Sequence, residues 1–220
     1  MKLKVCGMRD VDNISELLKI QPDFIGFIFY KNSLRNVADF PIIEIPKTIK
    51  KVGVFVGDWV GDLIETANKY QLDCVQLHGG TETVGYCREI LKRDEIINKN
   101  TEIIKVFSVD DTFDFEVTKE FEAVSDYFLF DTKGKYHGGN GEKFRWDILS
   151  NYSGTTPYLL SGGISGTDID ALNAFFKTEG SKYCVGLDVN SGFEIDIALK
   201  NVEELRAFKN NLSNLMIDEK

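Results

Sequence analysis

The sequence predicts an α/β protein whose residues 1–220 form one domain, a closed (β/α)8 or TIM barrel. Eight short runs rich in β-branched and aromatic residues recur along the 220-residue chain. Helix-like patterns follow most of these runs, and strands that alternate with helices are typical of a parallel sheet. No Pro- or Ser-rich linker interrupts the series. An open doubly wound sheet is the alternative, but the first run leads into CGMRDV, which lacks the G-x-G-x-x-G fingerprint.

The predicted strands are near the usual length of strands in globular proteins. In chain order they are residues 2–6, 23–29, 51–56, 73–78, 102–107, 126–131, 157–162 and 182–188. Three helices are predicted from apolar residues that share one helical face. These residues are Ile14, Leu17 and Leu18 in the first helix, Ile169, Leu172 and Phe176 in another, and Val202, Leu205, Phe208, Leu212 and Leu215 in the last. Asp12 is the cap candidate of the first helix, and Thr167 or Asp168 that of the second.

Two connections are predicted to be poor helices. Pro41 and Pro46 interrupt the segment after the second strand, and proline removes a helical hydrogen bond. The segment 109–123 carries only part of a helical pattern.

Composition excludes several classes of partner. The net charge is −9, with 35 acidic and 26 basic residues, which argues against binding of nucleic acid or of an anionic membrane surface. No apolar stretch approaches the roughly 20 residues that cross a bilayer. The first ten residues lack the apolar region of a signal peptide, so a cytoplasmic location is predicted.

The cysteines and histidines do not form a metal-binding pattern. Four cysteines are widely spaced without C-x-x-C, so four thiols are expected, not disulfides. The two histidines, His78 and His137, lack the spacing of a zinc site. No metal is therefore predicted.

Chemistry in a (β/α)8 barrel lies at the carboxyl ends of the strands. Cys6, His78, Asp131 and Asp188 each end a predicted strand, and the two-residue period of a strand turns them inward. The same period predicts inward positions for Lys4 below Cys6, for Tyr127 and Leu129 below Asp131, for Cys74 and Gln76 below His78, and for Cys184 and Gly186 below Asp188. Residue type alone leaves Cys6 open between packing and chemistry, and His78 between a structural and a binding role. Arg35, after the second strand, is either a surface or a site residue.

Two glycine-containing loops predict a phosphate site. Gly162 and Gly163 follow the seventh strand, and Asn190, Ser191 and Gly192 follow the eighth. Exposed backbone N–H groups bind anions, and these two loops are the usual phosphate site of such barrels. Tight turns alone are the alternative explanation. The segment HGGNGEKF at 137–144 is expected to cover a ligand.

Taken together, these motifs resemble phosphoribosylanthranilate isomerase of tryptophan biosynthesis. The similar segments, in the family's order, are KVCGM, FIFYKNSLRNV, VGVFV, VQLHG, LFDT with HGGNGEKFRWD, LSGGI and GLDVNSGFE. The resemblance runs through nearly the whole chain. It implies an Amadori rearrangement of a small phosphorylated substrate without a cofactor, by a monomer or a homodimer.

The resemblance also implies roles for individual residues. Cys6 matches the general base that takes the C2′ proton, and Asp131 matches the general acid that opens the ribose ring. Arg35 is expected to contact the anthranilate portion, and His78 to lie near the pocket. The residues expected around the phosphate and the ribose hydroxyls are Gly162, Gly163, Asp188, Asn190, Ser191 and Gly192.

These roles set requirements on two pKa values. Asp131 has to be protonated to act as an acid, so its pKa is expected to be raised. Cys6 has to form a thiolate, and we expect Lys4 to help by lowering the thiol pKa. Gly7 is expected to leave room for the substrate beside the thiol.

Two other functions are weighed against this one. The related aminoaldose isomerase of histidine biosynthesis shares fold and reaction, but it uses an aspartate as first-strand base and has two similar halves. A catalytically silent barrel that binds a phosphorylated ligand is the non-enzymatic alternative. Cys6 counts against the first, and the presence of both Cys6 and Asp131 counts against the second.

Overall fold

Eight parallel strands close into a barrel in a computed structural model of the chain, which describes residues 1–80, 82–92, 100–132 and 145–215. The strands are β1 (Lys2–Val5), β2 (Phe24–Ile28), β3 (Lys50–Phe55), β4 (Cys74–Leu77), β5 (Glu102–Val109), β6 (Tyr127–Thr132), β7 (Tyr158–Leu160) and β8 (Cys184–Val189). They follow one another around the barrel in chain order, and β1 pairs with β8 to close it. The predicted fold and all eight predicted strands are confirmed.

Helices surround the barrel unevenly. The α-helices are α1 (Val11–Leu18), α2 (Val60–Tyr70), α3 (Val84–Lys92), α4 (Ile169–Phe176) and α5 (Val202–Leu215). The connections after β5 and β6 contain 3₁₀ helices instead, at Phe115–Val124 and Trp146–Asn151. Residues 29–49 contain no helix, as Pro41 and Pro46 predict. None of the described helices is long and apolar enough to cross a membrane.

The cap of α1 differs from the prediction. Asp10, not Asp12, is the N-cap, because its backbone is extended and its side chain accepts a hydrogen bond from the Asn13 amide at 2.8 Å. Asp12 lies in the first turn, where a negative charge is favoured by the helix dipole. At α4 the helix begins after Asp168, as predicted, and Ser165 caps the short 3₁₀ turn before it.

The two faces of the strands bury two separate apolar clusters. The cluster inside the barrel consists of Phe24, Val52, Cys74, Ile104, Val106, Leu129 and Leu159. The larger cluster, between the barrel and the helices, includes Val75 and Leu77 of β4. The alternation predicted for β4 is therefore confirmed, with Cys74 inside and its neighbour Val75 outside.

Strand β8 departs from the predicted alternation at one point. Opposite β7, Tyr158 pairs with Cys184 but Leu159 pairs with Gly186, so Val185 is an extra residue. Val185 consequently packs against the inner cluster and Cys184 against the outer one. The prediction that Cys184 shares the inward face of Asp188 is wrong, because a period of two does not continue across a bulge.

A small antiparallel hairpin follows β8 and precedes α5. It consists of β9 (Glu194–Asp196) and β10 (Leu199–Lys200). The side chain of Asn13 in α1 accepts from the Lys200 backbone N–H at 2.8 Å and donates to the Lys200 carbonyl at 2.9 Å. These two bonds hold the hairpin against α1.

Candidate active site

A cavity at the carboxyl ends of the strands brings the predicted site residues together. It contains about 760 Å³ of space free of protein atoms, including its open mouth. All ten predicted residues line it: Cys6, Arg35, His78, Asp131, Gly162, Gly163, Asp188, Asn190, Ser191 and Gly192. Residues from β1, β4, β6, β7 and β8 thus meet at one end of the barrel, as parallel strands that close in chain order require.

Cys6 occupies a tight position directly after β1. Its side chain is only 4% exposed, and its backbone N–H donates to the Val189 carbonyl at 2.9 Å. A Cβ atom on Gly26 of the neighbouring β2 would lie 2.8 Å from the Cys6 sulfur. Glycine at position 26 therefore leaves room for the Cys6 thiol at the cavity wall.

Asp131 is the last residue but one of β6 and faces His78, which follows β4. The Asp131 Oδ2 atom lies 3.4 Å from His78 Nε2, and both side chains keep some contact with solvent. The Thr132 backbone N–H donates to the other carboxyl oxygen, Oδ1, at 3.1 Å. The carboxyl group is thus oriented by two neighbours while it remains accessible from the cavity.

Lys4 lies one inward position below Cys6 and is fully buried. Its Nζ donates to Asp188 Oδ1 at 2.6 Å, and Ser161 donates to Asp188 Oδ2 at 3.2 Å. Burial opposes the charge of the lysine, but Asp188 and Cys6 outweigh it and raise the pKa of Lys4 above its ordinary value. The barrel interior therefore holds a fixed positive charge beside the cysteine.

The pKa of the Cys6 thiol is raised, whereas a lowered pKa was expected. Burial raises the pKa of the Cys6 thiol above its ordinary value, because the thiolate loses its hydration. Lys4 and Lys200 act in the opposite direction, and Asp188 adds to the increase. Lys4 thus favours the thiolate, as expected, but in the ligand-free protein it does not outweigh burial.

Gly7 has a different role from the expected one. Its φ is +76°, in the left-handed region that favours glycine, and a Cβ there would lie 2.7 Å from Asn190 Oδ1 and 2.9 Å from Arg35 Cδ. The space that a side chain at position 7 would need is therefore occupied by these two protein side chains. Gly7 accommodates the wall of the cavity and not the substrate directly.

Arg35 belongs to a cluster of buried charges that sequence reasoning did not identify. Its Nε and Nη2 donate to Glu194 Oε1 and Oε2 at 2.8 and 2.7 Å. The Nζ of Lys200 donates to Glu194 Oε1 at 2.5 Å and to Asn190 Oδ1 at 2.8 Å. Burial works against ionisation, but Arg35 and Lys200 together lower the pKa of Glu194. Three charged side chains thus form one cluster, and Arg35 is the member that lines the cavity.

Gln76 is another cavity residue that was not singled out as a site residue. It is buried on β4, directly below His78, and its side-chain oxygen has no hydrogen-bond partner among the described residues. A buried acceptor without a partner is costly unless a ligand or water satisfies it. This oxygen is therefore available to a hydroxyl group of a bound molecule.

The loops after β7 and β8 come together through their glycines. Gly162 and Gly163 have φ values of +99° and +68°, and a Cβ on Gly162 would lie 2.8 Å from the Thr132 backbone nitrogen. A Cβ on Gly192 would collide with the backbone of Ile164 in the neighbouring loop. All three glycines line the cavity, and they do so with backbone atoms alone because they carry no side chain, which is the arrangement expected for an anion site.

All four cysteines are free thiols. In the described ranges, no group of three or more His, Cys, Asp or Glu side chains is arranged to hold a metal ion. The segment 137–144, expected to cover a ligand, lies outside the described residues.

Comparisons with known proteins agree with the family resemblance found in the sequence. A family model described as N-(5'-phosphoribosyl)anthranilate (PRA) isomerase matches residues 3–211. The N-(5'-phosphoribosyl)anthranilate isomerase of Parabacteroides distasonis is 41% identical over 213 residues, which cover 94% of this chain and 91% of that protein.

Solved structures share the fold. The phosphoribosyl anthranilate isomerase of Thermus thermophilus superposes with a TM-score of 0.77 at 20% identity, covering 98% of this chain and 100% of that one. A second such isomerase, solved in complex with reduced 1-(o-carboxyphenylamino)-1-deoxyribulose 5-phosphate, has a TM-score of 0.74 at 24% identity, covering 97% and 99%. The family model and the 41% identity, each over most of the chain, show that this chain belongs to the N-(5'-phosphoribosyl)anthranilate isomerase family.

Proposed function

We propose that this protein isomerises N-(5'-phosphoribosyl)anthranilate to 1-(o-carboxyphenylamino)-1-deoxyribulose 5-phosphate, a reaction of tryptophan biosynthesis. The observation that carries the proposal is that Cys6 and Asp131 line one cavity in a member of this isomerase family. The complex of a relative with the reduced product supports a ligand of this size and charge in the barrel. The reaction is internal to the substrate, so no cofactor is required.

Asp131 acts as the general acid in this proposal. It protonates the ring oxygen of the ribose, the bond from that oxygen to C1′ breaks, and the nitrogen lone pair forms an iminium ion. His78 and the Thr132 backbone N–H orient the carboxyl group for this transfer. A general acid of this kind contributes about 10²–10⁴-fold to a rate.

Cys6 acts as the general base in the following step. Its thiolate removes the proton from C2′, the electrons of that bond neutralise the iminium, and the resulting enaminol becomes the ketose. One proton is given and one is taken, so the reaction is balanced without an external reagent. Lys4 and Lys200 supply the positive charges that favour the thiolate in a buried site.

The rest of the cavity binds the substrate. The backbone amides around Gly162, Gly163 and Gly192 suit the phosphate. Asp188 and the free oxygen of Gln76 suit ribose hydroxyls, and both line the same cavity. Arg35 suits the anthranilate carboxylate. Asn190 and Ser191 complete the wall beside the eighth strand.

The reaction can be followed by fluorescence, since phosphoribosylanthranilate loses its fluorescence on isomerisation. Freshly formed substrate should lose fluorescence with the wild-type protein and retain it with Cys6→Ala or Asp131→Asn. Cys87→Ala is the matched control, because Cys87 is a buried thiol of α3 outside the cavity lining. No loss with the wild type, or full activity of both cavity variants, would refute the proposal.

Some broader properties belong to the same proposal. Residues 1–220 act as one domain, as a monomer or a homodimer, and sedimentation would distinguish these two states. The location is cytoplasmic, which the four free thiols favour. Neither a nucleic acid nor a membrane is a partner.

A further inference from the structure

We propose that Glu194 is a positioning residue: it holds the guanidinium of Arg35 so that the remaining Nη1–Nη2 edge of that group recognises the carboxylate of the anthranilate ring. This inference rests on the function proposed above and adds to it a determinant of substrate selectivity. Nothing in the linear sequence around Glu194 indicates this role, because its partner lies 159 positions away.

The hydrogen bonds leave one edge of the guanidinium available. A guanidinium has five N–H donors in a planar fork, and a carboxylate binds two of them side by side. Glu194 occupies the edge formed by Nε and Nη2. Among the described residues, Nη1 of Arg35 has no hydrogen-bond partner, and Arg35 lines the cavity. The Nη1–Nη2 edge can therefore bind a second carboxylate in the same planar manner.

Lys200 fixes Glu194 from the other side. The Lys200 side chain is fully buried, and its Nζ contacts both Glu194 and Asn190. Its backbone makes two hydrogen bonds with the Asn13 side chain of α1, one donated by Asn13 and one accepted by it. Glu194 is thus anchored through the hairpin to a helix outside the barrel, and this anchoring limits the movement of Arg35.

The charges of the cluster favour an anion. Arg35 and Lys200 carry two positive charges against the single negative charge of Glu194, so these three side chains together carry a net charge of +1, with Arg35 at the cavity. A ligand with a negative charge would balance the extra positive charge and so stabilise the cluster. The substrate carries two anionic groups, and the phosphate suits the amide-lined loops better. The flat carboxylate of the ring is the group that fits an arginine edge.

The proposal predicts a selective loss in Glu194→Gln. A glutamine offers one acceptor and turns its NH2 group toward the arginine donors, so the guanidinium is released from its fixed orientation. We expect KM for phosphoribosylanthranilate to rise about 10- to 100-fold, the loss typical of a charged hydrogen bond. The turnover number should change much less, because the reacting atoms keep Cys6 and Asp131.

A second substrate separates positioning from general damage. The adduct of aniline with ribose 5-phosphate lacks only the ring carboxylate. Glu194→Gln should lower kcat/KM for the carboxylated substrate by about 10- to 100-fold and leave that for the aniline adduct within about threefold. Glu116→Gln serves as the control, since Glu116 is an exposed residue paired with Lys119, and it should change neither value.

Two outcomes overturn the proposal: an equal loss with both substrates, or no loss with either. If Glu194→Gln does not fold, Glu194→Asp replaces it, because the shorter side chain keeps the charge but withdraws the carboxylate from Arg35. The same selective loss is expected. A wild-type protein that converts neither substrate contradicts the proposed function itself, whereas a wild type that converts both equally contradicts the role of Glu194 alone.

Discussion

Two buried carboxylates, Glu82 and Glu194, lie at the same end of the barrel in contrasting surroundings. Glu82 accepts one hydrogen bond from Lys105 Nζ at 3.0 Å and others from the Gly79 and Gly57 backbone N–H groups at 2.9 and 3.3 Å. Its charge is balanced by one lysine. Glu194 accepts hydrogen bonds from both Arg35 and Lys200, and Arg35 lines the cavity.

The two carboxylates contrast a structural charge cluster with one that we propose to bind substrate. Glu82 ties together the ends of β3 and β4, and both of its carboxylate oxygens accept hydrogen bonds from within the protein. The cluster around Glu194 keeps one positive charge and one arginine edge unsatisfied. Burial and ion pairing are common to both, so neither identifies a binding site. The feature that distinguishes the Glu194 cluster, and on which the proposal rests, is an unbalanced charge that faces a cavity.

The largest expected effect concerns the proposed catalytic residues of the cavity. Asp131→Asn should lower kcat by about 10²–10⁴-fold, because an amide cannot donate a proton to the ring oxygen. The melting temperature should stay near that of the wild type, since Asp131 has few internal contacts. Steady-state fluorescence and calorimetry on the same sample measure both. A large fall in melting temperature would mean that Asp131 is structural, as Glu82 is.

Glu82→Gln should give the opposite result. Removal of one partner from a buried pair costs about 3–5 kcal/mol in the free energy of unfolding, while KM and kcat change little. Denaturant titration measures this loss, with the exposed Glu116→Gln as control. Lys105 lowers the pKa of Glu82 below its ordinary value of 4.5. This stabilisation is therefore present above pH 4.5 and disappears as the pH falls through the folded pKa, so the two proteins should converge in acid.

Gly7→Ala changes a residue that affects both the stability of the backbone and the packing of two cavity residues. The φ of +76° disfavours alanine by about 1–3 kcal/mol, and the new Cβ would displace Asn190 and Arg35. Stability and kcat/KM should therefore fall together. Gly80 has a similar φ of +72° but open space around its Cβ position, so Gly80→Ala is the matched control for strain alone. Equal kinetic effects of the two substitutions would contradict the packing role of Gly7.

The smallest expected effect is a displacement of the pH profile. Lys4→Met removes a positive charge beside Cys6, so the thiol pKa rises and less thiolate is present at a given pH. The rising limb of kcat/KM should move to higher pH by about one unit. Profiles are recorded at a temperature where the variant is folded, with Lys119→Met as the exposed control. A limb identical to that of the wild type would remove Lys4 from the tuning of Cys6.

The sequence predicted features that depend on local pattern. The eight strands follow from short apolar runs, and Cys6, His78 and Asp131 follow from the ends of those runs. Pro41 and Pro46 correctly excluded a helix after β2. Loops carrying glycine after β7 and β8 were placed correctly because chain order fixes their position in a closed barrel.

Features that depend on distant contacts were not predictable. The pairing of Arg35 with Glu194 joins residues far apart in the chain, and the hairpin that carries Glu194 is too short to show a strand pattern. The bulge at Val185 has no local signal either, which is why Cys184 was assigned to the wrong face. The role of Gly7 likewise depends on the side chains of two other strand ends.

The most direct test of the account is the rate at which freshly formed phosphoribosylanthranilate loses fluorescence with Cys6→Ala and with Cys87→Ala. Both positions are buried free thiols, but only Cys6 lines the cavity. We expect Cys6→Ala to reduce the rate by at least about 10²-fold and Cys87→Ala to retain the wild-type rate. A Cys6→Ala protein as active as Cys87→Ala would contradict the assignment of Cys6 as the general base.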